Sequence, residues 1–331
     1  METRKVQQVG GGTYTVSIPI SWAEEHGIEA GETAYLYTHR DGSLVVRWGE
    51  REENGLGAVD VDLRGTSSDG AAVAARTLDA AYTAGFERVT LHTADDEQRA
   101  SITDRARTLI GVDVAEESET GVTVRWLLDA SDLPVGQSVR QLRFVAGSMF
   151  DAAMATFTGA TAEAGYITDR TEETDRLTRL VERRFTRAMV LFAELDRLDA
   201  TRPRLFAQYR TARELERVGS EAAEIARAVE RLGPADSADL ADEIRRVGES
   251  VGEAIETAAD SVTDGGSTAT AREVLNQATT AAEEARTLQR TVATQEPSDA
   301  LLLTRVIDSV LRTAQSAEIV GEIALQRTVR G

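Results

Sequence analysis

Two runs of closely spaced acids hold the clearest candidate chemistry in the chain: Glu172-Glu173-Thr174-Asp175-Arg176-Leu177 and, about forty residues later, Arg213-Glu214-Leu215-Glu216-Arg217-Val218-Gly219. On a helix, residues three or four apart lie on one face, which is where carboxylates must stand to share a cation. Glu172, Glu173, Asp175 and Glu216 are therefore the candidate metal ligands. No histidine or cysteine lies near them, and an oxygen-only ligand set suits a hard cation. The competing reading is a solvated face. The net charge is −19, so a helix bearing several acids is by default exposed to water.

Composition narrows the rest. The chain has 331 residues with 41% hydrophobic, enough for two or three domains with real cores. Lys5 is the only lysine among the 37 basic residues, and dense carboxylate with almost no lysine resembles haloarchaeal usage, in which charge keeps a protein dispersed at high salt. The absence of cysteine excludes disulfides, thiolate metal sites and a cysteine nucleophile. No apolar run approaches the ~18 residues of a membrane span, and Glu2, Arg4 and Lys5 stand where a signal core would begin, so the expected location is cytoplasmic. His26, His39 and His92 are scattered through the chain, and none is expected to be catalytic. Nothing here predicts an enzyme.

The elements that position these residues follow from periodicity. Residues 4 to 48 alternate in short runs: strands Lys5 to Val9 and Tyr14 to Ile18 around the turn Gly10-Gly11-Gly12, a short helix from Pro19 ended by Gly27, and a hairpin of Thr33 to Thr38 with Leu44 to Trp48 across Asp41-Gly42. The triple glycine is not a phosphate loop, because it leads into a strand and lacks a following Gly-Lys-Ser/Thr. About fifty residues bury too little to stand alone, so this unit is expected to complete its core by dimerising. After a charged linker, residues 57 to 130 read as a small α/β domain: a strand Val59 to Leu63, a helix Ala71 to Ala84, a strand Arg88 to His92, a helix from Asp95 to Ile110, and a hairpin of Val112 to Ala115 with Val122 to Leu128. From Leu133 onward the pattern is helical, with Pro134, Pro203, Pro234 and Pro297 at helix ends. Six helices are predicted, at 134–163, 169–199, 203–232, 237–262, 268–294 and 298–329. Glu172-Glu173 to Leu177 echoes in Glu283-Glu284 to Leu288, and Glu224-Ile225-Ala226 echoes in Glu322-Ile323-Ala324. Such an echo predicts two three-helix bundles, residues 133–233 and 234–331.

Two resemblances join these pieces. Arg4-Lys5-Val6-Gln7, Gly10 to Tyr14, Ser17-Ile18-Pro19 and Ile28 to Glu32 are similar to the AbrB/SpoVT swapped-hairpin domain over nearly all of residues 2 to 49. Thr174 to Leu177, Leu215 to Gly219, Ala222 to Ala226 and Ser309 to Ala314 resemble the PhoU proteins, and the whole order is similar to archaeal PhoU-type regulators with an N-terminal AbrB domain. The expected fold is thus multidomain: a small swapped-hairpin unit, a small α/β middle domain and an all-α half. The resemblance implies a non-enzymatic regulator of phosphate uptake, a homodimer whose helical half docks on a phosphate transporter or phosphate-sensing complex. The alternative is a transcriptional regulator of phosphate genes with the helical half as sensor. For the AbrB-like unit the resemblance implies DNA binding. Arg4, Lys5, Arg40 and Arg47 are the cations available for phosphate contacts, and they face seven acids within residues 1–50. A net acidic module loses much of the counterion-release term that drives DNA affinity, which leaves dimerisation alone and dimerisation with DNA contact both open.

In the PhoU family an acid, three residues and then Asp recur in both repeats and are associated with clusters of iron, zinc or similar ions, so the resemblance implies a divalent or ferric ion. The match here is partial. Position 171 is Thr171 and position 220 is Ser220, while Arg286 and Ala314 occupy the places of Asp175 and Glu216 in the second repeat. An arginine repels a cation, so the second site is expected to be absent. A helix pair folding back near residue 201 would set Glu216 opposite residue 186, ~16 Å from Asp175, and would pair Asp175 with Arg227. That expectation favours ordinary ion pairs over a metal site. A histidine-free helical half likewise argues against a di-metal hydrolase or oxidase.

Overall fold

The computed structural model describes residues 3–38, 42–48, 55–65, 70–128, 133–159 and 164–330, the side chains of residues 164, 192 and 193 excepted. The chain divides into two compact units, Met1–Gly55 and Leu56–Gly331.

In the first unit, strands β1 (Gln7–Val9) and β2 (Thr13–Thr15) form one antiparallel pair. Gly10 turns the chain between them with φ +64°, a conformation that glycine takes without a Cβ clash. Helix α1 (Ile20–Glu25) follows Pro19, and β3 (Ala34–Thr38) pairs antiparallel with β4 (Leu44–Trp48). Asp41, assigned to that hairpin turn, and His39 lie outside the described residues. The local structure follows the sequence, but no core results: among the described residues of this unit none is buried. Val9, Tyr14, Val16, Ile20 and Leu36 are all more than half exposed.

The second unit opens with a four-stranded sheet in the order β5-β6-β8-β7, formed by β5 (Ala58–Asp62), β6 (Arg88–His92), β7 (Val112–Ser118) and β8 (Gly121–Trp126). Strands β5 and β6 run parallel, joined through α2 (Gly70–Ala84), and the other two pairings are antiparallel. On β5, Asp60 and Asp62 point to solvent while Val59 and Val61 turn inward, as the alternation requires. Helix α3 (Asp96–Thr108) starts at Asp95, whose side chain accepts from the Gln98 amide. Leu63, Leu78, Leu91, Ile102, Val122 and Val124 form the core beneath these two helices.

Long helices make up the remainder: α4 (Val135–Phe157), α5 (Ala164–Val190), a short α6 (Phe192–Arg197), α7 (Arg202–Leu232), α8 (Ala238–Asp260), α9 (Thr268–Gln295) and α10 (Ala300–Arg330). Thr201 and Ser267 cap α7 and α9 by accepting from Arg204 and Thr270 amides. One feature departs from the expected plan. The helix predicted over 169–199 breaks at Leu191, which is extended at φ −107° and ψ 105°. The buried core runs continuously from Val135 to Ala324 through both three-helix sets. The echoed segments serve that interior: Ile225 and Ile323 are both buried while Glu224 and Glu322 face water.

Candidate functional site

The close approach of α5 and α7 sets the register of the acidic runs. Gly219 stands against Thr174, where an added Cβ would come within 3.2 Å of the Thr174 methyl. Position 219 thus faces 174, and Glu216 lies beside the turn that carries Asp175, not beside residue 186. The break at Leu191 and the turn through α6 shift the return of the chain, which the estimate from a simple fold-back did not include. Arg227 pairs with Glu224 at 2.8 Å instead of with Asp175.

What surrounds each acid is mostly arginine. Asp175 accepts from Arg179 at 3.0 Å and from Arg105 at 3.0 Å, and both arginines reach Asp79 on α2, at 3.2 and 2.7 Å. These four residues form an alternating charge network that ties α5 to α2 and α3. Burial pushes the Asp175 carboxyl up, but hydrogen bonds and charge from Arg179 and Arg105 outweigh it and hold the group below its usual value. Glu216 goes the other way: burial raises it, Arg213 at 2.9 Å offsets part, and Asp175 adds repulsion. Glu173 accepts from Gln141 at 3.3 Å, and Glu172 is exposed. Among the described residues no three His, Cys, Asp or Glu side chains converge as a metal site. A cation at Asp175 would have to displace two guanidinium groups.

Asp175→Asn tests the network. Its carboxylate is about one-quarter exposed, so the charge contribution is screened and the expected loss is about 1 kcal/mol at pH 7, between surface and buried values. Because the folded carboxyl titrates low, that stability is present above the unfolded pKa of about 3.9 and disappears as pH falls through the folded value. Urea melts of wild type and variant should therefore differ at pH 7 and converge in acid. Equal midpoints at pH 7 would refute the assignment.

The implied DNA contacts are only partly visible. Arg4, Lys5 and Arg47 are exposed, and Arg40 lies outside the described residues. His92 Nε2 stands 3.6 Å from Asp60 Oδ1. Both side chains are exposed and no nucleophile joins them, so the pair makes no acid–base relay. His26 stacks on Trp22 with ring centroids 4.4 Å apart.

Sequence reasoning missed two places. A cleft of about 500 Å³ between α4 and α8 carries Asp151, Glu249, Glu253 and Glu256, with Gly147 and Gly252 leaving it open. Burial and Glu249 raise Asp151, and burial raises Glu256 although Arg143 opposes it. The second is a group of buried arginines on α5. Arg183 and Arg184 are each 1% exposed, and Arg184 and Arg187 share Glu194, both at 3.4 Å. No spacing rule marks three arginines in a helix as interior, because arginine is ordinarily exposed.

The α/β unit packs through α2 on α5 of the helical half, and no helix among the described residues is long and apolar enough to cross a membrane. Residues 139–229 match the PhoU domain, and residues 7–55 match the family described as Antidote-toxin recognition MazE, bacterial antitoxin. The PhoU match runs over most of α4, all of α5 and α6 and most of α7, and the MazE-type match lies before it in the chain. Among solved structures the chain is similar to PhoU from Pseudomonas aeruginosa, at 19% identity and a TM-score of 0.51, over 60% of this chain and 96% of that one. At that identity the likeness is one of fold. No curated protein matches the chain.

Proposed function

We propose that the protein is a non-enzymatic regulator of phosphate uptake. Its helical half would dock on a phosphate-transport or phosphate-sensing protein, and its N-terminal unit would hold two copies together. The observation that carries the reading is the PhoU domain at residues 139–229, whose family supports a role in phosphate homeostasis, set in a fold similar to a PhoU structure. The network around Asp175 supports a scaffold, because it commits that candidate ligand to ion pairs between helices. Deleting the gene should leave phosphate uptake unrestrained in phosphate-replete cells. Normal repression of uptake in the deletant would refute the proposal.

Dimerisation is supported by the first unit itself. It leaves Val9, Tyr14, Ile20 and Leu36 in water and buries none of its described residues, a condition that a second copy relieves. Leu36→Asp should convert a dimer to a monomer in sedimentation equilibrium, while helical content stays unchanged. A wild-type chain that sediments as a monomer at micromolar concentration would rule this out. DNA contact belongs to the same proposal through exposed Arg4, Lys5 and Arg47, together with Arg40. Footprinting on promoters of phosphate genes tests it, and absence of a protected site leaves the unit as a dimerisation device alone.

A further inference from the structure

In a chain with 56 acidic and 37 basic residues, one cavity has arginines as its only charged lining residues. It has a volume of about 240 Å³ and lies between the first turns of α7 and the last turns of α10, where Arg204, Arg210, Arg327 and Arg330 line it together with Thr201 and Phe206. No carboxylate lines it. Among the described residues none of these four guanidinium groups is in an ion pair; Arg327 donates to the Ser261 carbonyl at 3.4 Å, and Arg210 rests over the Phe206 ring at 5.9 Å. Elsewhere in the same unit arginines are spent on acids, as Arg105, Arg179, Arg213 and Arg227 are.

Local electrostatics oppose this arrangement when the cavity holds only water. A helix N-terminus is the positive end of the backbone dipole, where acids are favoured and cations are not. The first turn of α7 contains no acid, yet Arg204 sits there. Burial and the nearby charge of Arg204 both push Arg327 below the usual arginine range. Arginines at the last turn of α10 have an ordinary explanation, since cations suit a helix C-terminus. Their convergence with arginines from the opposite kind of helix end has none. An anion in the cavity reverses both penalties: it meets the positive end of α7 and separates Arg204 from Arg327.

The chemistry of the donors narrows the anion. Guanidinium groups bind oxyanions through paired N–H donors, and four of them exceed what one carboxylate can accept. A phosphoryl group offers three or more oxygens and a second charge. The volume lies just below the ~300–1,000 Å³ typical of sites for drug-sized ligands, which selects a compact anion. We propose that this cavity is a binding site for a free phosphoryl anion, inorganic phosphate or pyrophosphate, whose occupancy the helical half senses. The choice of phosphate as the physiological anion rests on the reading of the chain as a regulator of phosphate uptake. The anion site rests on the arginines alone.

Isothermal titration of the full-length chain with inorganic phosphate and with pyrophosphate, at fixed chloride, tests the site. Wild type should bind pyrophosphate more tightly than sulfate. The double variant Arg204→Gln with Arg327→Gln should lose about tenfold or more in affinity, because two charge-assisted donors are removed. Arg246→Gln, which removes an exposed pair with Glu284 elsewhere, should bind as wild type does. A thermal melt provides a second reading: pyrophosphate should raise the melting temperature of wild type but not of the double variant. No binding by wild type, equal binding by the double variant, or sulfate binding as tight as pyrophosphate would overturn the proposal. So would binding only to vesicles containing phosphatidylglycerol, which would assign the arginines to a lipid headgroup. The two proposals fail separately. Silent titrations with unrestrained uptake in the deletant remove the anion site and keep the regulator; specific binding with normal repression does the reverse.

Discussion

Glu194→Gln should destabilise the second unit by about 3–5 kcal/mol, the cost of leaving buried charge without its partner. Glu194 is 2% exposed and is the carboxylate that Arg184 and Arg187 share inside the protein. Its other contact, Arg197, lies at 3.8 Å and is largely in solvent. Glutamine keeps the volume and removes the charge. Arg187, whose charge adds to the cost of burying Arg184, would retain Glu87 at 3.0 Å, while Arg184 would lose its ion pair with Glu194. The same residue explains the break at Leu191. A straight α5 would carry residue 194 onward along the helix axis, whereas the extended Leu191 turns α6 so that Glu194 returns to positions 184 and 187. Loss of the charge should therefore also loosen α6. Urea unfolding at pH 7 measures the first effect, with Glu224→Gln as an exposed-pair control expected to cost under about 1 kcal/mol. Amide exchange across residues 191–199 measures the second. A variant within about 1 kcal/mol of wild type would show that water or relaxation already neutralises the arginines.

How much of this was legible in the sequence differs by element. Helix ends carrying Pro203, Ser267 or Gly233 fell within a residue or two of their predicted places, because capping and proline geometry act locally. Strand β6 and the β7–β8 hairpin followed from alternation and turn residues in the same way. The break at Leu191 has no glycine or proline to announce it. Its cause is a contact between Glu194 and arginines seven and ten residues earlier, made only once α6 folds back. The register of α5 on α7 was hidden for the same reason, and with it the proximity of Asp175 to Glu216. The acids themselves were visible, but their arginine partners were not: Arg105 lies seventy residues from Asp175 and on another element. Charge patterning reads neighbours along a helix, while these pairs are set by packing between helices. The arginine-lined cavity was equally out of reach, since Arg204 and Arg327 sit on helices far apart in sequence.

Arg183→Ala should cost about 2–4 kcal/mol, the sum of orphaned acceptors and a cavity less the relief of removing a buried cation. Arg183 Nη1 donates to the Tyr82 carbonyl at 2.7 Å and Nη2 to the Phe86 carbonyl at 2.8 Å. Tyr82 lies in the last turn of α2, where helix carbonyls have no partner of their own, so a side chain from α5 caps a helix of the α/β unit. Arg187 extends the cap by donating to the Gly85 carbonyl at 2.7 Å, where Gly85 ends α2 with φ +102°. The Arg183 guanidinium also lies 4.4 Å from the Trp126 ring centroid and 5.1 Å from that of Tyr82. Burial pulls Arg183 down to about 9, which still leaves it charged at pH 7. Lysine keeps the charge but has no planar fork to reach two carbonyls and stack on a ring at once, so Arg183→Lys should recover less than half of the loss. The distinguishing measurement is local. Amide exchange should rise at the end of α2 and along β8 near Trp126 in both variants, while α9 and α10 stay protected. Uniform loss of protection across the whole unit would mean that Arg183 supports the global core and not the junction between α5 and the sheet domain. Junction-specific loss would identify these arginines as what makes the α/β unit and the helical half move as one body, which any signal passed between them requires.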